Sequence, residues 1–546
     1  MSVQSNTPQS YRAADWWRGA VIYQIYPRSF FDSNGDGIGD IPGVTQKLAY
    51  IAELGVDAIW LSPFFTSPMK DFGYDVADYC DVDPMFGSLA DFKTMLAEAQ
   101  RLGLKVIIDQ VYSHTSDQHP WFIESRSSRD NDRSDWYVWA DAKLDGTPPN
   151  NWLSIFGGSA WQWDSRRRQY YLHNFLTSQP DLNFHNPAVQ DAILDVMRFW
   201  LELGVDGFRL DVVNMYFHDA QLRDNPVVSQ PSERHVGSGD DNPWSRQFHK
   251  HQITQPENIA FLQRLRSLLD QYPSRTTIGE IGSYDSLKVM SDYTSGGDKL
   301  HMAYTFDLLS ADCSADYIRH TIASVEAQLG DGWPNFALSN HDVIRSVTRW
   351  GGHAPRSDFA KASLALLFSL HGSSCLYQGE ELGLPEGKVA FEDLQDPYGI
   401  EFWPEFKGRD GCRTPMVWTA DGGFTSHGTS WLPIDPDHLP LNADTQAQDP
   451  TSVLQWVKQF LSWRRTQPAL IHGDFQWLSG YDGAALVFSR RVADQVLWVG
   501  VNLTDKPLTV PIAGRIECLE AAGFSGTVQD NSLVIPAYNA VFAQAV

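Results

Sequence analysis

A short unit recurs three times in this chain and restricts its fold more than any other pattern in the sequence. Each copy contains the end of a helical segment, a glycine, a run of apolar residues and a final polar residue. The copies run from Glu53 to Ser62, from Arg101 to Asp109 and from Glu202 to Asp211. A helix that stops at glycine and leads into a short buried strand is the repeating unit of parallel α/β folds.

The helix before the third copy shows its boundaries in the sequence. Asn186 suits the N-cap, and Pro187 suits the first helical position, where its missing N–H is not needed. Gly204 stands where a left-handed residue ends a helix. Apolar residues between them recur at steps of three and four, which indicates one buried face: Val189, Ile193, Val196, Trp200 and Leu203.

Further apolar runs bring the predicted strands to eight: Ala20–Tyr26, Thr276–Gly279, Met302–Phe306, Asn335–Leu338 and Ser374–Tyr377. Eight strands that alternate with helices favour an α/β fold of the (β/α)8 TIM-barrel type, and no GxGxxG phosphate loop supports a doubly wound sheet. Residues that follow the strands of such a barrel meet at one face. Asp109, Asp211, Glu280 and the run Asn340–Asp342 are therefore expected there.

Two regions interrupt this alternation. Residues 111–183, after the third strand, are rich in Trp, Tyr, Pro and Gly and show no helical period, which predicts an inserted subdomain over the active face. After about residue 471 the pattern changes to alternating strands separated by turns, which predicts a C-terminal antiparallel β-domain. The expected boundaries are 1–110 and 184–470 for the barrel, 111–183 for the insertion and 471–546 for a β-sandwich.

The run Gly207–Asp211 reads GFRLD and places two ionisable groups at the end of one strand. Side chains alternate along a strand, so Arg209 and Asp211 share a face. We expect the arginine to lower the pKa of the Asp211 carboxyl and keep it ionised as a nucleophile. The alternative is a buried ion pair that only holds the barrel together.

Two more carboxyls are expected at the same barrel mouth. Glu280 ends TTIGE, where a partly apolar cavity would suit a general acid, although a helix N-cap is an equally simple interpretation. Asp342 closes NHD, which either binds hydroxyl groups or caps the next helix. Asp211, Glu280 and Asp342 would follow strands four, five and seven, and paired carboxyls are the apparatus of glycoside hydrolysis.

At these residues the sequence resembles the α-amylase family (glycoside hydrolase family 13), and within it the bacterial exo-acting α-glucosidases and oligo-1,6-glucosidases. The resemblance runs from about Trp16 to the C-terminus. It rests on several motifs in the family's order: YQIYPRSF, DQVYSH, QPDLN, GFRLD, GEI and NHD.

The resemblance implies a retaining mechanism with three catalytic carboxyls. Asp211 matches the nucleophile, Glu280 the acid/base and Asp342 the carboxylate that grips sugar hydroxyls. A covalent β-glucosyl-enzyme would form, and transfer of glucose to another hydroxyl would be a side activity. The substrate would be a small oligosaccharide or glucoside with α-linked glucose at its non-reducing end, of the maltose, isomaltose or sucrose type.

The same resemblance assigns residues to the sugar pocket. Asp71 and Tyr74 would hold the non-reducing glucose, with Tyr74 stacked on the ring. Arg409 would pair with Asp71 and close the pocket, which makes such an enzyme exo-acting. The remaining expected contacts are His114, Phe156, Phe175, Arg209 and His341.

Linkage preference and the outcome of the reaction stay open at this stage. Val212, after the nucleophile, leans towards α-1,6 bonds in these relatives, whereas other motifs look closer to maltose-cleaving enzymes. A glucosyltransferase or a sucrose or trehalose isomerase of the same family is the main alternative. A binding subunit without activity and metal-assisted hydrolysis are two further alternatives.

The run Asp32–Asp40 places oxygen ligands at alternate positions around Gly37, like the start of an EF-hand loop, but position 43 is Gly where that loop ends in Glu. The family places one structural Ca²⁺ or Mg²⁺ here. The expected ligands are Asp32, Asn34, Asp36, the Ile38 carbonyl and Asp40. The alternative is a turn rich in Asp and Gly. No organic cofactor is expected.

The composition of the chain excludes some classes of partner. A net charge of −25 argues against nucleic acid and anionic membranes, both of which are polyanions. No apolar run reaches the length of a transmembrane helix, and the first 17 residues lack the signal-peptide pattern. Scattered cysteines predict reduced thiols in a cytoplasmic protein, which would be a monomer or homodimer: Cys80, Cys313, Cys375, Cys412 and Cys518.

Overall fold

The computed structural model describes residues 15–235, 242–352, 357–512, 514–529 and 532–545. The first 17 residues, which are predicted to contain no signal peptide, lie mostly outside the described residues. No helix within the described ranges is long and apolar enough to cross a membrane. The five cysteines are all free thiols, as predicted.

Eight parallel strands form one sheet in the order β6-β5-β4-β3-β2-β1-β8-β7. A parallel bridge between Ala303 and Pro334 joins the two edge strands, so the sheet closes on itself. The strands are β1 Val21–Ile25, β2 Ala58–Leu61, β3 Lys105–Gln110, β4 Gly207–Leu210, β5 Thr276–Ile281, β6 Met302–Thr305, β7 Asn335–Ala337 and β8 Ser373–Tyr377. The predicted (β/α)8 barrel is confirmed.

One long helix follows each barrel strand and packs outside it. The helices are Ile41–Leu54, Leu89–Arg101, Pro187–Leu203, Asn258–Leu269, Ser286–Thr294, Ala315–Gln328, Ser357–Ser369 and Val453–Arg464. Short helices lie in the connections: Pro120–Ser125, Ser346–Arg349, Pro397–Glu401, Ala443–Gln448 and Pro468–His472.

Local sequence signals explain the best-defined helix. The Asn186 side chain accepts from Ala188 N, Pro187 is the first helical residue, and Gly204 ends the helix with φ 99°. Four of the five predicted apolar positions are fully buried, while Leu203 is half-buried because it lies in the last turn. The helix thus begins and ends where the sequence predicts.

Apolar side chains fill two separate spaces. One cluster lies inside the barrel and includes Ile22, Trp60, Ile107, Ile278 and Met302. A larger cluster lies between the strands and the surrounding helices. A rigid barrel therefore carries the residues that follow each strand, which is how distant parts of the sequence reach one site.

Segment 111–183 contains a three-stranded antiparallel sheet of Trp139–Ala140, Gln169–Leu172 and Trp161–Asp164, with its own small apolar cluster. The sequence did not predict that the long connection after β4 packs on it. Trp152 Nε1 donates to the Arg223 carbonyl over 2.9 Å, and Asn151 and Asn225 exchange two hydrogen bonds. Phe65–Thr66 and Asp78–Val82 form a further short pair.

The C-terminal part contains two antiparallel sheets, as predicted. Its five-stranded sheet has the strands Asp474–Trp477, Leu486–Val492, Gln495–Asn502, Asn539–Ala545 and Ile516–Leu519. Its three-stranded sheet has the strands Leu508–Pro511, Ser532–Ile535 and Thr527–Gln529. Both sheets contribute to one apolar cluster, so they form two layers around a common core.

Candidate active site

Arg209 is the centre of the charged cluster at the carboxyl ends of the barrel strands. Its Nη1 lies 2.6 Å from Asp211 Oδ1 and 2.8 Å from Asp109 Oδ1, and its Nη2 lies 2.7 Å from Glu280 Oε1. Asp211 is 6% exposed and Glu280 is 3% exposed. One buried cation therefore serves three buried carboxyls that come from three different strands.

Three carboxyls around one guanidinium correct the expectation that Arg209 keeps the pKa of Asp211 low. Burial raises the pKa of Asp211 well above its ordinary value; Arg209 opposes the shift, but Glu280 and Asp109 add to it. Burial likewise raises the pKa of Asp109 to about 6, again against Arg209. The sequence predicted correctly that Arg209 lowers the pKa of the Asp211 carboxyl. The net shift is nevertheless upward, because three carboxyls share this arginine, which the sequence did not show. Such a cluster retains a proton more readily than separate carboxyls.

Two groups besides Arg209 hold Glu280. Tyr304 Oη donates to Glu280 Oε1 over 3.0 Å, and the Val212 N–H donates to Glu280 Oε2 over 3.0 Å. Tyr304 Oη also accepts from Arg209 Nη2 over 2.8 Å. Val212 has φ 34°, a left-handed conformation that a β-branched residue rarely adopts. The predicted acid/base is therefore fixed by contacts on both of its oxygens.

A second network connects Tyr74, His341 and Asp109. Tyr74 Oη lies 2.5 Å from His341 Nε2 and donates to Asp109 Oδ2 over 3.2 Å. His341 Nδ1 lies 2.8 Å from Gln24 Nε2. Burial lowers the pKa of His341 to about 3, so the ring is neutral at ordinary pH. A neutral imidazole can exchange hydrogen bonds with a hydroxyl without adding charge to the cluster.

His114 and Asp71 meet through a residue that sequence reasoning did not assign. Gln179, in the QPDLN motif, donates from Nε2 to Asp71 Oδ2 over 3.0 Å and lies 3.2 Å from His114 Nε2. Burial lowers the pKa of His114 to about 4, and burial raises the pKa of Asp71 although Arg409 opposes it. The amide of Gln179 thus links two of the predicted hydroxyl-binding side chains.

Arg409 lies at the other end of this group and contacts both predicted sugar-binding carboxylates. Its Nη2 is 2.9 Å from Asp71 Oδ1, and its Nη1 is 3.3 Å from Asp342 Oδ1. Arg413 Nη2 adds a contact of 2.8 Å to Asp342 Oδ1. Burial works against the charge of Asp342, yet His341, Arg409 and Arg413 hold its pKa below the usual range.

The two predicted aromatic residues stand beside these polar groups. The rings of Phe156 and Phe175 lie 5.6 Å apart at 72°, and Phe175 lies 5.1 Å from the His114 ring. The Arg409 guanidinium lies 5.1 Å from the Phe156 ring centre. The insertion therefore contributes an apolar side to a site whose charged side belongs to the barrel.

The sequence missed Tyr304, Gln179, Arg413 and Asp396. Tyr304 lies within the predicted sixth strand, and alternation from that strand's end could have found it. Gln179 lies inside a motif that was quoted only for its resemblance. Nothing in the sequence separates Arg413 from other arginines, since its role depends on which carboxylate it meets. Asp396 likewise shows its role only through its contact with Arg409.

The predicted metal ligands lie together in the loop before helix Ile41–Leu54, outside the networks of Arg209 and Arg409. Asp32 accepts from the backbone N–H groups of Asn34, Gly35 and Gly37. Asp40 accepts from Gly43 N and caps the helix. The loop is therefore rich in oxygen donors, the ligand type that a hard cation takes, and its backbone N–H groups hold two of the carboxylates in fixed turns.

Carboxylates alone do not complete such a site here. Among the described residues, no group of three or more His, Cys, Asp or Glu is arranged to hold a metal ion. The expected ligands include the amide oxygen of Asn34 and the carbonyl of Ile38, which are neutral donors. Asp36 Oδ1 accepts from Ile38 N over 2.8 Å, so part of the oxygen set already serves the turn itself.

The barrel and its carboxyl cluster define a class of glycoside-processing site. Comparison with known proteins then gives the family: the alpha-amylase catalytic domain matches residues 24–473. A "Probable alpha-glucosidase" of Rhizobium meliloti (strain 1021) is 54% identical over 537 residues, which covers 97% of each chain. An "Oligo-1,6-glucosidase" of Parageobacillus thermoglucosidasius is 37% identical over 525 residues, covering 90% of this chain and 91% of the relative.

A solved structure agrees with these sequence relatives. The structure of an alpha-glucosyl transfer enzyme, XgtA, is similar with a TM-score of 0.95 and 56% identity, covering 97% of this chain and 99% of that one. This chain therefore belongs to the α-amylase family, as its motifs indicated.

Proposed function

We propose that this protein is a retaining, exo-acting α-glucosidase that releases glucose from the non-reducing end of short α-glucosides. The observation that carries the proposal is the buried pair of Asp211 and Glu280 held by one guanidinium. Retaining enzymes need their two carboxyls about 5–5.5 Å apart, closer than inverting enzymes do. Arg209 contacts Asp211 over 2.6 Å and Glu280 over 2.7 Å, which keeps the two carboxyls close to each other. The names of the two relatives above support hydrolysis of α-glucosides.

The first half of the reaction would begin with attack by the ionised Asp211 on the anomeric carbon. Glu280 donates its proton to the glycosidic oxygen, the aglycone leaves, and a β-glucosyl ester of Asp211 forms. Arg209 stays between the two carboxyls and limits their repulsion. One cation cannot compensate three ionised carboxyls, so the cluster retains a proton. We assign that proton to Glu280 because Glu280 matches the acid/base of the family and Asp211 matches its nucleophile.

The second half returns the enzyme to its starting state. Glu280, now ionised, removes a proton from water, whose oxygen attacks the anomeric carbon and releases Asp211. The product is α-glucose, with the configuration of the substrate. A sugar hydroxyl in place of water would give transglucosylation, which we propose as a side activity.

Asp342, Asp71 and the neutral imidazoles of His114 and His341 would bind the glucose hydroxyls. Asp342 is the one whose lowered pKa keeps it ionised throughout the working pH range. Hydrogen bonds to sugar hydroxyls that strengthen as the ring flattens would stabilise the oxocarbenium-like transition state. Arg409 would close the pocket behind the bound glucose and restrict cleavage to chain ends.

A glucosyltransferase is the second candidate, and the likeness to an alpha-glucosyl transfer enzyme favours it. The two candidates share the glucosyl-enzyme and differ in which acceptor attacks it. NMR of maltose, isomaltose, sucrose and p-nitrophenyl α-glucoside during turnover tests both. Mostly free glucose, first seen as the α-anomer, supports the hydrolase; mostly oligosaccharide supports the transferase; β-glucose appearing first contradicts retention.

We also propose a structural Ca²⁺ or Mg²⁺ in the loop Asp32–Asp40, held by Asp32, Asn34, Asp36, the Ile38 carbonyl and Asp40. When bound, it would neutralise the loop carboxylates and stiffen the turn, with no part in catalysis. A cytoplasmic location is proposed on the five free thiols, which persist in a reducing compartment.

A further inference from the structure

Asp396 is a fully buried carboxylate whose main partner is the pocket arginine. It is 0% exposed, and both of its oxygens contact Arg409. Oδ2 accepts from the Arg409 backbone N over 2.7 Å and from Nε over 3.1 Å, while Oδ1 accepts from Nη2 over 2.7 Å. Side-on pairing through Nε and Nη2 is the strong, geometrically specific form of an arginine–carboxylate contact.

The remaining face of the guanidinium points at the pocket. Nη2 also contacts Asp71, and Nη1 contacts Asp342. Asp396 has no exposed surface, and Arg409 connects it to the predicted sugar contacts. Burial works against its charge, but Arg409 holds the pKa of Asp396 below its ordinary value.

Asp396 also anchors the aromatic side of the site. Its Oδ1 accepts from the Tyr398 N–H over 3.2 Å and caps helix Pro397–Glu401. The Tyr398 ring stacks on Phe156 with centres 4.9 Å apart, and Phe156 in turn lies 5.1 Å from the Arg409 guanidinium. One carboxylate thus fixes both the arginine and the helix that supports the neighbouring aromatic ring.

The surrounding turn has little freedom to move. Asp410 Oδ2 accepts from Gln395 N over 2.7 Å and from Asp396 N over 2.9 Å, so the two segments hold each other. The backbones of Gly399 and Gly408 lie so close that a Cβ on Gly399 would come within 2.6 Å of Gly408 Cα. This packing presents Asp396 to Arg409 in one position.

We propose that Asp396 is a positioning residue that holds Arg409 against Asp71 and Asp342 and so sets the closed end of the glucose pocket. The inference rests on the proposed exo-acting function and deepens it. With Arg409 in place, the site accepts a terminal α-glucose with free hydroxyls; with Arg409 released, the pocket opens to chains that continue beyond that glucose.

The test variant is Asp396→Asn. Both oxygens of Asp396 accept hydrogen bonds, so an amide must direct its NH₂ at a donor on one side, and the charge that holds Arg409 is gone. We expect KM for p-nitrophenyl α-glucoside to rise about 10-fold or more, with a smaller change in kcat, because the glucose is held less well before reaction. Slow cleavage should also appear on a p-nitrophenyl malto-oligosaccharide whose non-reducing glucose carries a blocking acetal.

Two control variants separate positioning from general loosening. Asp393→Asn removes an exposed charge from the same segment. It should leave KM and kcat for p-nitrophenyl α-glucoside unchanged and the blocked substrate uncleaved. Asp410→Asn loosens the same turn but leaves the Asp396 carboxylate on Arg409; it should lower Tm and promote cleavage of the blocked substrate less than Asp396→Asn does. Arg409→Ala provides a double-mutant cycle, in which adding Asp396→Asn should change KM by less than about 2-fold.

Each outcome bears on a different claim. Wild-type protein that fails to release glucose from p-nitrophenyl α-glucoside contradicts the proposed function. Wild-type protein that does so, together with an Asp396→Asn variant of unchanged KM and unchanged selectivity, overturns the inference alone. The inference is equally overturned if Asp410→Asn cleaves the blocked substrate as fast as Asp396→Asn does, or if the effects of Asp396→Asn and Arg409→Ala on KM multiply.

Discussion

The Val212 N–H donates to Glu280 Oε2 over 3.0 Å, and Val212 makes this contact from a left-handed backbone conformation with φ 34° and ψ 50°. A β-branched residue in that region carries strain of about 1–3 kcal/mol, which the surrounding structure must offset. The residue that follows the predicted nucleophile therefore also holds the predicted acid/base. The strained backbone couples the positions of the two carboxyls that are predicted to be catalytic.

Relieving that strain should raise stability and lower activity. Val212→Gly removes the penalty for positive φ, but glycine is freer in the unfolded state, so we expect a gain of about 1 kcal/mol or less in the free energy of unfolding. The freed turn should hold Glu280 less firmly, and kcat should fall while KM changes little. Chemical denaturation and kinetics on maltose and isomaltose measure both effects. A destabilised variant with unchanged kcat would show that the contact has no catalytic value.

Loss of either principal carboxyl should abolish turnover for different reasons. Asp211→Ala removes the nucleophile, and we expect at least about a 10³-fold loss of kcat on every substrate. Glu280→Gln removes the proton donor, so the loss should be larger for maltose than for p-nitrophenyl α-glucoside, whose leaving group needs less protonation. Tm values show that the variants fold. A variant that keeps the parental rate would exclude its residue from catalysis.

Activity should fall on the acid side as the cluster gains protons. Burial raises the pKa of Asp211 above its ordinary value and that of Asp109 to about 6, so protonation begins well above the range of a free carboxyl as the pH falls. We expect kcat/KM to decline as the pH falls, starting above the range of a free carboxyl, since a protonated Asp211 cannot attack. Asp109→Asn removes one carboxyl that competes for Arg209.

In that variant the acid limb of kcat/KM should move to lower pH, whatever the change in absolute rate. Asp109→Asn leaves Arg209 with two carboxyls in place of three, and the pKa of Asp211 should fall because one repulsive neighbour is gone. The pH profile of kcat/KM reports the pKa values of the free enzyme and therefore measures this shift directly. If the acid limb of kcat/KM does not move, it reports the protonation of a group other than Asp211.

Arg490 should contribute strongly to the contact between the barrel and the C-terminal sheets. It is 0% exposed and donates to the carbonyls of Ser369, Leu370 and Gly473. Burial, together with the nearby charge of Arg464, lowers its pKa to about 9. Arg490→Leu leaves those carbonyls without their donor, and we expect a loss of at least about 2 kcal/mol in the free energy of unfolding.

The neighbouring arginine is a matched control for that change. Arg491 is exposed, so Arg491→Ala should alter the free energy of unfolding by no more than about 0.5 kcal/mol. Chemical denaturation of both variants measures the contrast. Equal losses would show that the effect belongs to the strand and not to the buried guanidinium.

Chelation should affect stability and leave catalysis unchanged. If the loop Asp32–Asp40 binds Ca²⁺ or Mg²⁺, then EDTA should lower Tm, and added Ca²⁺ or Mg²⁺ should restore it, because an ion that binds only the folded state stabilises it. The initial rate at 25 °C should not change. Asp36→Ala should remove the response of Tm to EDTA. Immediate loss of turnover on chelation would instead support metal-assisted hydrolysis.

Individual residues show why sequence reasoning reached the fold more easily than the details of the site. Asn186, Pro187 and Gly204 set the ends of one helix through local backbone chemistry, so the sequence shows them directly. The number of carboxyls around Arg209 depends on three strands at once. No local pattern contains that number, and the expected effect on the pKa of Asp211 was therefore wrong in its net direction.

The amino-acid sequence by itself determined the barrel, the added β-domain, the family and the positions of the principal carboxyls, because periodicity, helix ends and motif order are properties of short stretches. Only the tertiary structure decided how these groups share charge and which residues brace them. Asp396 and Arg409 are 13 residues apart in the chain, yet the contact depends on the turn that Asp410 and two glycines hold together. Coulomb interactions and burial depend on distances in space, which the order of residues does not give.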